Sequence, residues 1–244
     1  MTLPVFLSDA VSGAKSGQVV VLDGDEGRHA ATVKRIRVGE QISLTDGAGT
    51  TAMCSVSEAA KSSLTVVVDQ VVVVERALPL VTVVQAIPKG DRGELAVEVL
   101  TEIDVDRIIP WAASRSVAVW KGERAVKGLA KWRATAREAT KQARRAWLPE
   151  VAELATTSDV VELIAAADLA VVLHEDADLP LADLDLTGVA SIVVVVGPEG
   201  GISDEELEAF AGARSVRLGT SVLRTSTAGV AAAAALLSRT DRWR

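Results

Sequence analysis

The sequence predicts an α/β protein in two parts: a small β-rich N-terminal unit and a larger C-terminal domain on a largely parallel sheet. Three observations predict it. Residues 1–74 are dominated by β-branched runs, strands alternate with helices from residue 80 onward, and two glycine-bearing loops each leave a strand and enter a helix.

In the first unit, residues 18–23, 41–45, 51–57 and 63–74 are expected strands, with a short helix over about 25–34. Asp46-Gly47-Ala48-Gly49 reads as a hairpin turn. A β unit of this size is similar to barrel-type RNA-binding modules. Glu75-Arg76-Ala77-Leu78-Pro79 is the expected linker, which puts the domains at 1–74 and 80–244. The second domain then reads as strand 80–87, helix 92–103, strand 107–111 and a long helix 123–146. Helix 158–166, strands 168–173 and 191–196, helix 204–211, strand 215–218 and helix 227–238 complete it. Ligands of such sheets bind at the carboxyl ends of the strands, where both glycine loops fall.

Composition narrows the function. The chain has 244 residues, 49% of them hydrophobic, so a packed core is easily built. A single cysteine, Cys54, rules out an internal disulfide, and with only His29 and His174 no metal site is expected. The N-terminus lacks a basic stretch followed by a long apolar run, so no signal peptide is expected. The valine runs are far shorter than the ~20 residues of a membrane span. A cytoplasmic protein without membrane contact follows. The net charge of −7 hides an asymmetry. Between Lys121 and Arg145 nine basic residues face only Glu123 and Glu138. Arg133, Arg137, Lys141 and Arg145 are spaced four apart, which puts them on one helix face, with Trp132, Ala136, Ala139, Ala143 and Trp147 on another. The apolar face is expected to turn inward and the basic stripe outward, towards a phosphate backbone. A merely solvated face is the alternative.

The first glycine loop is Gly197-Pro198-Glu199-Gly200-Gly201, followed by Ser203 and Glu206 in a capping-box pattern. Its glycines allow close backbone approach to a ligand; an ordinary capped turn is the alternative. The second is Leu218-Gly219-Thr220-Ser221-Val222-Leu223-Arg224, whose arginine can hold an anion. The small residues 231–235 after it suit close packing in the core or across a dimer. Pro88-Lys89-Gly90-Asp91-Arg92 also joins a strand to a helix and offers cations for phosphate or a base. His29 beside Arg28 reads as a structural or phosphate contact, and His174 as a pocket border or a solvated loop residue. Neither the phosphate-loop pattern G-x-x-x-x-G-K-[ST] nor G-x-G-x-x-G occurs, which disfavours an NTPase and an ordinary dinucleotide enzyme.

Together these motifs resemble the RsmE family, the 16S rRNA uridine-N3 methyltransferases of the SPOUT superfamily, over nearly the whole chain. The resemblance rests on Gly197 to Gly201, on Leu223-Arg224-Thr225 with Thr227-Ala228, and on Pro88 to Arg92. Arg28-His29, Thr101-Glu102 before Arg107-Ile108-Ile109-Pro110, Ser114-Arg115-Ser116, and Trp132 through Arg144 support it. It implies an N-terminal PUA-like β-barrel domain and a SPOUT α/β domain with a deep trefoil knot. It also implies S-adenosyl-L-methionine bound in the knot, and a homodimer acting on 16S rRNA or the small ribosomal subunit. Carried onto this chain, Leu173, Val196, Gly197, Glu199, Gly200, Gly201, Leu218, Gly219 and Leu223 line the cofactor pocket. Arg224 and Glu199 are the catalytic candidates. Arg28, His29, Lys34, Lys89, Arg92, Arg133, Arg137, Lys141 and Arg145 are the RNA-binding candidates. Two positions depart from the family pattern: Ser226 stands where many members have Glu, and Ile103-Asp104 where many have Leu-Gly. A SPOUT ribose 2′-O-methyltransferase and a non-catalytic ribosome-assembly protein of the same fold are the competing readings.

Overall fold

Alternating burial along Thr50–Ala59 and Leu64–Val73 makes these long segments half-buried antiparallel strands, β4 and β5. The computed structural model describes residues 3–243. The chain divides into two units: Met1–Arg76 with Thr140–Leu148, and Ala77–Ala139 with Pro149–Arg244.

In the first unit β1 (Val5–Leu7), β2 (Val19–Leu22) and β3 (Gln41–Thr45) join β4 and β5 in the order β1-β3-β4-β5-β2. Only the β1–β3 pair is parallel. Register shifts between Met53 and Cys54 and between Val56 and Glu58 add local twist to β4. Phe6, Ile42, Leu44, Ala52, Cys54, Leu64 and Val66 fill the core. Burial, then the charge of Asp69, push the Cys54 thiol up to about 11, so it is a core residue and not a nucleophile. The Asp46 carboxylate accepts the Ala48 and Thr50 N–H groups and closes the expected hairpin turn. The expected helix over 25–34 is two pieces, α1 (Gly24–Arg28) and a wider turn His29–Val33 that ends with the Lys34 N–H on the His29 carbonyl.

The second unit contains β6 (Leu80–Ala86), α2 (Arg92–Glu102), β7 (Arg107–Trp111), β8 (Glu150–Val151), α4 (Thr157–Ala166) and β9 (Leu169–Leu173). It continues with β10 (Ser191–Val196), α5 (Asp204–Ala209), β11 (Arg214–Val216) and α6 (Thr225–Leu237). Helix α3 (Glu123–Ala143) starts in this unit, and its residues from Thr140 belong to the first. All six strands are parallel, in the order β11-β9-β10-β6-β7-β8. The apolar runs are buried on both faces, as a covered parallel sheet requires. Chain order reverses between β10 and β6, which opens a crevice beyond their carboxyl ends. The small residues of α6 serve the core: Ala232, Ala233, Leu236 and Leu237 are fully buried, and the helix packs on β6, β10 and α2.

The basic helix corrects the sequence reading. It stops at Ala143 because Arg144 adopts a left-handed backbone (φ 55°), so Trp147 is not on its apolar face. Instead the Trp147 ring lies under Arg76 at 4.3 Å and its N–H donates to the Val74 carbonyl. Lys141 and Arg145 are 6% and 8% exposed, so they are not part of an outward stripe. Lys141 turns into the first unit and pairs with Glu26 at 3.0 Å. Four-residue spacing fixed their common face only while the helix lasted, and it could not show that a carboxylate waited there.

Asp104 takes a left-handed conformation (φ 71°) at the position where many members of the resembled family have glycine. Its carboxylate and that of Asp106 hold the Arg242 guanidinium at 2.8 and 2.6 Å. Burial alone would lower the Arg242 pKa; the hydrogen bonds and charges of Asp106 and Asp104 outweigh it and raise it. Arg242 also donates to the Pro79 carbonyl, and Asp106 accepts the Val81 N–H. Among the described residues no helix is long and apolar enough to cross a membrane, and no cluster of three or more metal-ligating side chains occurs.

Candidate functional site

The crevice of the second unit widens into a cavity of 1260 Å³ at the carboxyl ends of β6, β7, β9, β10 and β11. All nine predicted cofactor residues line it: Leu173, Val196, Gly197, Glu199, Gly200, Gly201, Leu218, Gly219 and Leu223. Arg224, Lys89 and Arg92 line it too. Arg28, His29 and Lys34 lie in the first unit. There Arg28 is exposed and pairs with Asp25 at 2.7 Å, His29 sets its ring edge-on to Phe6, and Lys34 is exposed. On α3, Arg137 is exposed, while Arg133 donates to the Val151 carbonyl and to Glu153.

The first wall is the loop after β10. Its far end is fixed by the expected capping box: the Ser203 hydroxyl accepts the Glu206 N–H, and the Glu206 carboxylate accepts the Ser203 N–H at 3.0 Å. The buried Glu206 does more than cap. Its second oxygen accepts the Ser114 N–H at 2.7 Å, tying the loop after β7 to the loop after β10. The two loops touch at Gly200, where an added Cβ would stand 2.8 Å from the Arg115 carbonyl oxygen. Glu199 accepts the Lys89 N–H at 3.1 Å and so joins the loop after β6 to the same wall.

The second wall is the loop after β11. It starts at Arg217, whose guanidinium donates to the Ala177 and Asp178 carbonyls at 2.7 and 2.6 Å. It ends at Arg224, whose carbonyl caps α6 by accepting the Thr227 and Ala228 N–H groups. Gln85, fully buried in β6, donates to the Thr225 carbonyl at 3.1 Å and secures that end. The Arg224 side chain is exposed at the cavity rim. Ser226 is buried in the first turn of α6 and does not line the cavity.

Sheet order separates the lining chemically. Leu173 ends β9 and Leu218 follows β11, whereas Lys89 and Arg92 follow β6 and Arg115 follows β7. The half beyond β9 and β11 also carries His174, Glu175, Asp176 and Arg217, whereas the charged groups that follow β6 and β7 are mostly cations. The sequence reading cited Ser114-Arg115-Ser116 for the family resemblance but gave Arg115 no role, and it passed over Gln85 and the link from Glu206 to Ser114. Arg115 had a signal, because it too follows the carboxyl end of a strand; Gln85 had none beyond being a lone amide in a valine strand. His174 lines the cavity, and its Nδ1 accepts the Asp176 N–H at 3.3 Å.

Comparison with known proteins agrees with this geometry. Residues 75–237 match a family described as RNA methyltransferase domain, and residues 22–69 one described as RNA methyltransferase PUA domain. The chain is 47% identical over 234 residues to a protein of Mycobacterium bovis named ribosomal RNA small subunit methyltransferase E, covering 93% of this chain and 89% of that protein. A Bacillus subtilis protein of the same name is 28% identical over 90% of each chain. Among solved structures, a ribosomal RNA small subunit methyltransferase E from Neisseria gonorrhoeae bound to S-adenosyl methionine superposes with a TM-score of 0.87 at 28% identity, covering 97% of this chain and 98% of that one. A Legionella pneumophila methyltransferase with bound cofactor gives 0.88 at 27%, covering 98% of both. The two units are thus a PUA-like N-terminal domain and a SPOUT-type methyltransferase domain, and the chain belongs to the ribosomal RNA small subunit methyltransferase E family.

Proposed function

We propose that this protein methylates N3 of a specific uridine in 16S rRNA, using S-adenosyl-L-methionine. The carrying observation is the convergence of both glycine loops on one cavity with Arg224 at its rim. The residues fit the cofactor. At 1260 Å³ the cavity exceeds the ~300–1,000 Å³ usual for a small ligand, leaving room for a nucleobase beside it. Leucines and glycine backbone edges offer the apolar walls and close-set amides that an adenosine needs. When bound, the cofactor supplies a methyl group on a positively charged sulfur.

Uridine N3 carries a proton and is a poor nucleophile until it is lost. Arg224 holds the uracil oxygens and stabilises the anion that forms when the proton leaves. One oxygen of Glu199 is engaged by Lys89; the other takes the proton or binds polar groups of the cofactor. Leu173, Leu218 and Leu223, with Val196 and the glycines 197, 200, 201 and 219, exclude water and fix orientation. Residues 1–74 serve as an RNA-holding domain, 75–79 as linker and 80–244 as the methyltransferase domain. Arg28, His29, Lys34, Lys89, Arg92 and Arg137 meet the RNA backbone, with Arg133 after it releases Glu153. Lys141 and Arg145 belong to the packing of the first unit. The deep trefoil knot is carried over from the family; after the edge strand β11 the chain returns to α6, which packs on mid-sheet β6 and β10. Exposed Val117, Val126 and Val222 suit burial in a homodimer, and the cytoplasm is where the small subunit would be met.

Mass spectrometry of 16S rRNA from a strain lacking this gene tests the assignment. A uridine-N3 methyl that disappears, and returns with the wild-type gene, is the expected result. A complete set of base methyls with a missing ribose methyl would overturn it.

A further inference from the structure

We infer that Arg115 binds an RNA backbone phosphate beside the target nucleotide, on a loop held in place by Glu206. The inference rests on the RNA-methylation reading above and adds a residue to its substrate site.

The backbone around Arg115 is firmly placed. The preceding residue, Ser114, donates its N–H to the buried Glu206 carboxylate at 2.7 Å. That carboxylate is in turn fixed by the Ser203 N–H, so its position does not depend on an exposed side chain. The Arg115 carbonyl lies against Gly200, where any side chain would displace it. Bulk is thus excluded at position 200 and a carboxylate is buried at 206, and both features hold Arg115 at the cavity. Within the protein the side chain has only weak partners: besides its hydrogen bond, its charge is one of the smaller causes that hold the exposed Glu205 carboxyl below its ordinary value, after the Glu205 N–H and the Ser203 hydroxyl. Arg115 is exposed, lines the cavity, and makes one long hydrogen bond, 3.4 Å to the Ile202 carbonyl. A fixed backbone carrying a planar cation that has no ion pair at contact distance is an arrangement suited to an anion that arrives from outside.

Sheet order selects which anion. Lys89 and Arg92 follow β6, and Arg115 follows β7, one strand farther from Leu173 and Leu218. The three cations thus follow neighbouring strands, away from Leu173 and Leu218, with Arg115 against the outer edge of the first glycine loop at Gly200. A polyanionic chain crossing the mouth would meet them in succession, whereas the lone carboxylate of the cofactor would not.

Binding of unmethylated small ribosomal subunits and of 16S rRNA, measured against salt, tests this alongside calorimetry with S-adenosylmethionine. Arg115→Ala should weaken RNA binding about tenfold at moderate salt and lower the salt slope by about one, with cofactor affinity unchanged. Arg115→Lys should restore the slope and most of the affinity. An unchanged slope in the alanine variant would reduce Arg115 to a solvated surface charge and sink the inference. So would a loss confined to cofactor binding, which would assign it to the cofactor carboxylate. Wild-type protein that binds the rRNA without methylating uridine N3 would remove the proposed reaction and leave the Arg115 contact measurable. Wild-type protein that binds no RNA would remove both.

Discussion

Residues 197–202 are tied along their length, whereas residues 218–223 are tied only where they begin and end. In the first loop Gly201 donates to the Pro198 carbonyl, Glu199 accepts from Lys89, Gly200 abuts Arg115 and Ser203 is locked to Glu206. In the second, no hydrogen bond joins residues 218–223 to any described residue, and Gly219 to Arg224 are all exposed. Arg217 anchors one end and Gln85 the other. Few bonds and little burial are the physical signs of a segment that opens at low cost. One wall is therefore a rigid template, and the other is a strap that gains order when it meets its ligands. The residue proposed for the chemistry, Arg224, sits on the strap at the point where the helix fixes it.

That contrast can be broken by substitution. Arg224→Ala should have the largest effect, a fall of about a hundredfold or more in kcat. Because Arg224 carries little packing, its melting temperature and cofactor affinity should stay near wild type; full activity would remove it from the mechanism. Gly200→Ala should come next. Its methyl cannot be accommodated without moving the Arg115 backbone, at a cost of about 1–3 kcal/mol. Both thermal stability and cofactor affinity should fall, and an alanine variant that keeps both would show that the first wall yields. Gln85→Leu leaves the Thr225 carbonyl without its donor, which costs about 1–3 kcal/mol where the group is buried. We expect kcat to drop severalfold with RNA affinity retained; equal losses in stability and in every kinetic constant would mean a general packing defect. Hydrogen exchange should show slow amides at Gly201 and Ser203, whose N–H groups are bonded, and fast ones at 219–223, with only the latter slowed by cofactor.

The smallest effect lies at the opposite end of the sheet. The exposed Asp168 is held below the usual carboxylate range by the Ser191 hydroxyl, then by the Ala190 and Ser191 N–H groups. Its folded-state pKa is depressed, so its contribution to stability is present above the ordinary aspartate value and is lost as pH falls through the lowered one. Asp168→Asn should cost a little stability at neutral pH, flatten that part of the acid transition and leave catalysis alone. A change in kcat would mean that the two ends of the sheet are coupled.

Much of the α/β domain was legible in the sequence because strand, turn and cap chemistry are local. The strands at 107–111 and 191–196 fall where the valine and isoleucine runs put them, and Ser203 with Glu206 forms the capping box its spacing implied. The cofactor candidates gather on one cavity because each follows a strand end of the same parallel sheet. What was not legible is what depends on distant partners. Lys141 looks like its basic neighbours until Glu26, 115 positions away, takes it inside. Glu206 satisfies its local motif completely, which hides the Ser114 N–H it also holds. The β8 strand, two residues long, carries no periodicity to read.

The Arg242 clamp has a consequence for how the protein matures. Its partner Asp104 lies 138 positions earlier in the chain. On a ribosome, a nascent chain that has already made β6 and α2 must wait for those intervening residues before the start of β6 can be secured through Asp106 and Pro79. At ~5–20 residues per second that delay is several seconds or more. The methyltransferase domain is thus built to close late, after all six strands of its own sheet have been synthesised.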